Sequence, residues 1–170
     1  KYVLTSIFYE FSKLIIFGIF FGFLGYFKSF LVSLILLLFL RINIGGIHCK
    51  HYITCFLLTF VVLFSSIILL PKLLFVAPIL IISICTICMI INYKIGPIAS
   101  PFRPSPDSIL IKKCRNTGFV IIFIFIIFVS FFHEFSLFAT YFQVGFWTIV
   151  LHTAQLFIAK ISKKEECANA

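Results

Sequence analysis

Between Arg41 and Cys55 the chain reads R-I-N-I-G-G-I-H-C-K-H-Y-I-T-C, an arginine, paired glycines, two histidines and two cysteines held between long apolar runs. Ionisable side chains at the edge of hydrocarbon are costly to keep, so a cluster of them there points to function. The chemistry on offer is nucleophilic acyl transfer. A cysteine attacks as its thiolate, which needs a neighbouring base or a positive local potential to form at neutral pH. Cys55 is the candidate nucleophile. If a helix starts near Tyr52, Cys55 falls in its first turn, where unpaired backbone N–H groups favour an anion and can hold the oxyanion of a tetrahedral intermediate. Arg41 and Lys50 add positive charge nearby.

Two imidazoles compete for the part of base. His51 and Cys55, at i and i+4, share one face of a continuous helix and can reach each other. His48 and Cys55, at i and i+7, also share a face, but about 10.5 Å of rise separates them. His48 therefore serves only if the chain folds back. Gly45 and Gly46 permit such a turn, because glycine accepts backbone angles that other residues avoid. Asn43 could orient His48, as could a backbone carbonyl. Local geometry alone favours His51.

The elements that must position these groups are membrane spans. The chain has 170 residues, 62% of them apolar and 11% charged, with a mean hydropathy of +1.22. A globular domain runs nearer half apolar and a quarter charged. The apolar blocks are long enough to enter a bilayer, which takes roughly 20 residues of helix per crossing. A single all-α, polytopic domain over 1–170 with about six transmembrane helices is expected, with the lipid bilayer as its partner. The 25 Phe spread through the blocks suit lipid-facing bulk.

Read in order, the first apolar block runs from Val3 to Phe27, interrupted by Glu10 and Lys13, which are close enough on a helix to pair in a lead-in turn, with the span proper starting near Leu14. Lys28-Ser29 is the expected link to a second helix. Phe30 to Leu40 is apolar for only about three turns, so that helix must continue towards Ile47, tilt, or thin the bilayer. Tyr52 to Leu70 is the third span, ended by Pro71-Lys72, and Leu73 to Ile91 the fourth. Asn92 to Asn116 is a long polar link whose Pro97, Pro101, Pro104 and Pro106 forbid a helix across Pro97 to Pro106 and favour an extended surface segment. Gly118 to Phe132 and Phe135 to Ile158 complete the set, and the polar tail from Lys160 is expected to fray. The chain begins at Lys1 rather than Met, so missing amino-terminal residues are expected.

The net charge of +9 does not indicate nucleic acid, since the basic residues lie in short links between apolar runs rather than on one polar face. With both termini on one side, only Lys28 and Lys72 of the 14 Lys and Arg fall on the other. The positive-inside rule then puts the termini, the Arg41–Cys55 link and the proline-rich link in the cytoplasm. Six spans are needed for that partition. Cys85 and Cys88 form a C-x-x-C in mid-span with no second pair to complete a zinc set, and they read as packing. No disulfide framework, metal site or cofactor is expected.

Arg41, Gly45-Gly46, His48 and Cys55 together resemble the Arg…Gly-Gly-x-His…Cys signature of the accessory gene regulator B (AgrB) family, membrane cysteine endopeptidases of Gram-positive bacteria. The link G-P-I-A-S-P-F-R-P from Gly96 to Pro104, with a basic run after it, resembles that family's second cytoplasmic loop. The resemblance implies His48 as base and Cys55 as nucleophile, in a loop between the second and third helices. Cys49 stands where the family commonly has alanine, and His51 where it requires no histidine. The resemblance also implies an activity, cleavage of the carboxyl-terminal tail from a small precursor peptide. The acyl-enzyme thioester is then captured by a Cys or Ser of the same peptide to close a thiolactone or lactone for quorum sensing. Arg41 and Arg103 are candidate substrate contacts, and Lys112–Arg115 a candidate dock for an acidic tail. A homodimer is implied. The rival reading is a non-enzymatic six-span transporter or peptide-export helper, which should carry polar residues along a mid-membrane path.

Overall fold

A computed structural model describes residues 2–46, 52–98 and 107–168, with side chains over 11–46, 52–98 and 107–161. Every regular element among these residues is helical: α1 (Tyr2–Phe23), α2 (Phe27–Ile44), α3 (Tyr52–Leu73), α4 (Pro78–Ile95), α5 (Ser108–Phe132) and α6 (Ser136–Ala168). Five of them are long and apolar enough to cross a membrane, and α1 contributes a shorter apolar stretch, Phe11–Phe23. The chain is an all-α polytopic membrane protein.

The helices stack as three pairs. Phe17 and Phe21 of α1 pack with Leu63 and Ile67 of α3 against Phe30 and Leu37 of α2. On the other side, Ile81 and Cys85 of α4 and Ile122 and Val129 of α5 pack against Leu40 and Ile44 of α2 and Ile149 and Leu156 of α6. α2 and α6 are thus the central pair. Phenylalanine serves both surfaces: Phe17, Phe21 and Phe146 are fully buried, whereas Phe131 is 75% exposed where lipid would lie.

Helix ends differ from the sequence expectation wherever backbone geometry outweighs polarity. The first link is Leu24–Tyr26, not Lys28-Ser29. Gly25 takes φ +77°, with Tyr26 N–H donating to Phe21 O and Gly25 N–H to Gly22 O, a Schellman stop that glycine alone allows without strain. Lys28 and Ser29 then fit in the first turn of α2. That helix runs through Arg41 to Ile44, as its short apolar stretch requires.

Pro71 does not end α3. A π turn over Ser65–Leu69 precedes it, and this wider turn accommodates a residue that has no N–H to give. The next helix starts at Pro78, where proline fits the first turn. The segment 74–77 between them is extended, and Gln143 of α6 pairs with both backbone groups of Val76 at 3.2 and 2.6 Å. Irregular backbone inside an apolar bundle needs such a partner.

The flanking helices reach further into the proline-rich link than its polarity suggests, α4 running to Ile95 and α5 starting at Ser108. Asp107 caps α5 by accepting the Ser108 N–H at 2.7 Å, so Lys112, Lys113 and Arg115 ride in the opening turns of α5. The tail continues α6 to Ala168, since it contains neither glycine nor proline to stop a helix. In the interior Ser33 of α2 meets Ser66 of the π turn at 3.1 Å and Thr148 of α6 at 2.8 Å. All three are fully buried or nearly so. Their hydroxyls satisfy one another and knit three helices rather than line a path.

Candidate active site

α2 delivers the polar segment. Arg41 lies in its last turn, and Gly45 stops it with φ +86° while its N–H returns to Arg41 O at 3.0 Å. The Arg41 Nη1 donates to Thr59 Oγ1 of α3 at 3.2 Å, and Thr59 Oγ1 donates to the Cys55 carbonyl at 2.8 Å. The guanidinium is therefore tied to the turn that carries the thiol. Asn43 donates to Phe39 O of its own helix at 2.8 Å.

α3 is described from Tyr52, and Cys55 lies in its first described turn, half-buried. Cys55, Thr59, Val62 and Ser66 recur at helical spacing on the face turned to the bundle. The thiol has an unanticipated neighbour. Lys13 of α1, 3% exposed, donates from Nζ to Cys55 Sγ at 3.3 Å and stands 5.4 Å from the Tyr52 ring centroid. Ser12 and Tyr52 join hydroxyls at 2.8 Å beside it.

The second polar link begins against the first. Ile98 N–H donates to Ile44 O at 3.0 Å, and a Cβ on Gly45 would stand 2.6 Å from Ile98 O. Gly118 of α5 lets the Ile44 side chain pass directly against its backbone. Arg115 fastens the same corner, with Nε donating to Gly96 O at 3.0 Å and its guanidinium 5.5 Å from the Tyr93 ring. From α6, the fully buried His152 donates from Nε2 to Gly45 O at 3.0 Å. One turn on, Gln155 is buried with both amide atoms unpaired. Asn92 of α4 donates to Thr153 Oγ1 at 2.7 Å.

Of the residues singled out from sequence, Arg41, Gly45, Gly46 and Cys55 converge on the junction of α2 and α3. His48, Cys49, Lys50, His51 and Arg103 lie outside the described residues, so the choice between imidazoles is not decided by geometry. Lys13, expected in a solvated lead-in turn, is instead buried on the thiol. Its signal in the sequence is a charged residue inside an apolar helix, which is costly unless it is partnered. His152 bonds between helices as its place in the last span suggests. Cys85 and Cys88 are buried in the core face of α4. Among the described residues no group of three or more His, Cys, Asp or Glu is placed to hold a metal ion.

A family model described as Accessory gene regulator B (AgrB) matches residues 1–157. The chain matches no curated protein and no solved structure.

Proposed function

Since the chain belongs to the accessory gene regulator B family, which sets it in the processing of quorum-sensing precursor peptides, we propose that it is a membrane-embedded cysteine endopeptidase. In this reading Cys55 is the nucleophile and His48 its base. The observation that carries it is the position of the Cys55 sulfur, 3.3 Å from the Lys13 ammonium. A cation there favours a thiolate, and a helix that starts near Tyr52 would favour it further.

The Cys55 thiol gives its proton to the imidazole, and the sulfur bonds to the carbonyl carbon that precedes the precursor's tail. The first N–H groups of α3 hold the oxyanion. The C–N bond breaks, and the imidazolium returns the proton to the leaving amine. A Cys or Ser side chain within the acylated peptide then attacks the thioester, closing the ring and releasing Cys55. Exchange of one thioester for another is nearly isoenergetic, so water must be kept from the intermediate, and a pocket walled by apolar helices does this.

The paired links supply the binding surface. Arg115 is occupied with Gly96, which leaves the exposed Lys112 and Lys113, with Arg103, to receive an acidic tail. In this reading the face and both termini lie in the cytoplasm, which the positive-inside rule favours, of a Gram-positive cell and in a homodimer, both of which the family resemblance implies.

The test is cleavage of the precursor by the full chain in liposomes. Cys55→Ser and His48→Ala each abolish it, while Cys49→Ala, Cys85→Ala and Cys88→Ala leave it in place. Undiminished cleavage by Cys55→Ser removes the enzyme reading, and loss with His51→Ala but not with His48→Ala moves the base.

A further inference from the structure

The signature that singles out Cys55 has no place for Lys13. A lysine only 3% exposed in an apolar helix is expensive, and its charge is retained where it has something to act on. Here Nζ donates to Cys55 Sγ at 3.3 Å. The Tyr52 ring lies beside the ammonium at 5.4 Å, and the 2.8 Å bond from Tyr52 to Ser12 fastens α1 to the opening turn of α3. The contact is thus built from two helices rather than left to a mobile surface side chain.

We propose that Lys13 is a further catalytic residue of this site, an ammonium that holds the Cys55 sulfur whenever it carries negative charge. The inference rests on Cys55 being the nucleophile. A hydrogen bond from a cation to an anion is about twice as strong as a neutral one, so the contact strengthens as the thiol ionises. It weakens once sulfur has spent its charge on the thioester bond. It strengthens again when the peptide's own Cys or Ser attacks that thioester and Cys55 leaves as thiolate, the attacker's proton passing to the imidazole. Lys13 therefore acts at both ends of the cycle, priming attack and easing ring closure. It takes no proton itself.

Alkylation of the full chain in liposomes by iodoacetamide, quantified for each cysteine by mass spectrometry, tests this without any peptide substrate. Lys13→Met is expected to slow labelling of Cys55 roughly 10-fold or more, with Cys114 in the same molecule unchanged as reference. Lys13→Arg keeps a cation and stays within about 3-fold. Ser12→Ala removes a docking bond without touching sulfur, and Cys55 labelling holds. If methionine disturbs insertion, Lys13→Gln, neutral but still a donor, carries the same expectation. Equal Cys55 labelling in Lys13→Met and the parent overturns the proposal, as does equal slowing by Ser12→Ala, which would mean docking alone. Those results leave the peptidase reading intact if Cys55→Ser still abolishes cleavage. Cleavage that survives Cys55→Ser overturns both.

Discussion

The imidazole of His152 and the carbonyl of Gly45, 107 positions apart in the chain, are joined by a 3.0 Å hydrogen bond. Gly45 is the last point at which α2 fixes the backbone before the segment that carries His48. Holding its carbonyl from α6 sets the direction in which that segment departs. His152→Leu should lower precursor cleavage roughly 10-fold and cost about 1–3 kcal/mol of stability, since a buried acceptor loses its donor. His152→Asn, which keeps a donor, should recover part of both. Cleavage rates and denaturant unfolding in detergent check this.

Gly45 and Gly46 should respond unequally. Alanine at Gly45 meets two obstacles, a φ of +86° and a Cβ 2.6 Å from Ile98 O. With ψ at −157° this is a region essentially reserved for glycine, so the conformation alone costs about 1–3 kcal/mol, and relief requires the two links to part. At Gly46 a Cβ would meet, among the described residues, the Arg41 side chain at 3.7 Å. Gly45→Ala should abolish cleavage and Gly46→Ala reduce it far less; equal effects would mean that the backbone angle is not the reason for the pair.

The route from Arg41 through Thr59 to the Cys55 carbonyl predicts a graded series. Thr59→Val removes the bridge at nearly constant shape and should reduce the turnover rate several-fold, about one hydrogen bond's worth. Arg41→Ala should cost more, because it also withdraws positive charge from the mouth of α3. Turnover of a saturating precursor peptide separates the two from a loss of binding.

Gln143→Leu provides a contrast remote from the thiol. It strips both backbone partners from Val76, costing about 1–3 kcal/mol for each group left buried and unpaired. The melting temperature should fall while Cys55 labelling in the folded fraction stays at the parent rate. A slowed Cys55 would mean that the two ends of the bundle are coupled.

What the sequence disclosed was fixed by local chemistry. Apolar run lengths gave the spans, and Cys55 lies in the first described turn of α3. The continuation of α2 beyond Arg41 followed from counting how much helix a crossing needs. The errors fell where backbone angles and non-local partners decide. Gly25 ended α1 before the polar pair Lys28-Ser29 came into play, and the π turn carried α3 through Pro71. Lys13 reads from sequence as part of a solvated lead-in, paired with Glu10, because it is a charge near a helix start. Only the packing of α1 on α3, set by Phe17 and Phe21 one and two turns further on, reveals what it faces.

Ser66 sits three turns along α3 from Cys55 and is pegged by Ser33 to α2 and, through Ser33, to Thr148 of α6. With about 100° of rotation per residue, the number of residues between peg and sulfur dictates the compass bearing of the thiol. Deleting a single residue between them, at Leu58 for example, would leave the peg seated and swing the sulfur by about 100°, off its line to Lys13 and onto the bearing Phe56 now holds against Phe17 of α1.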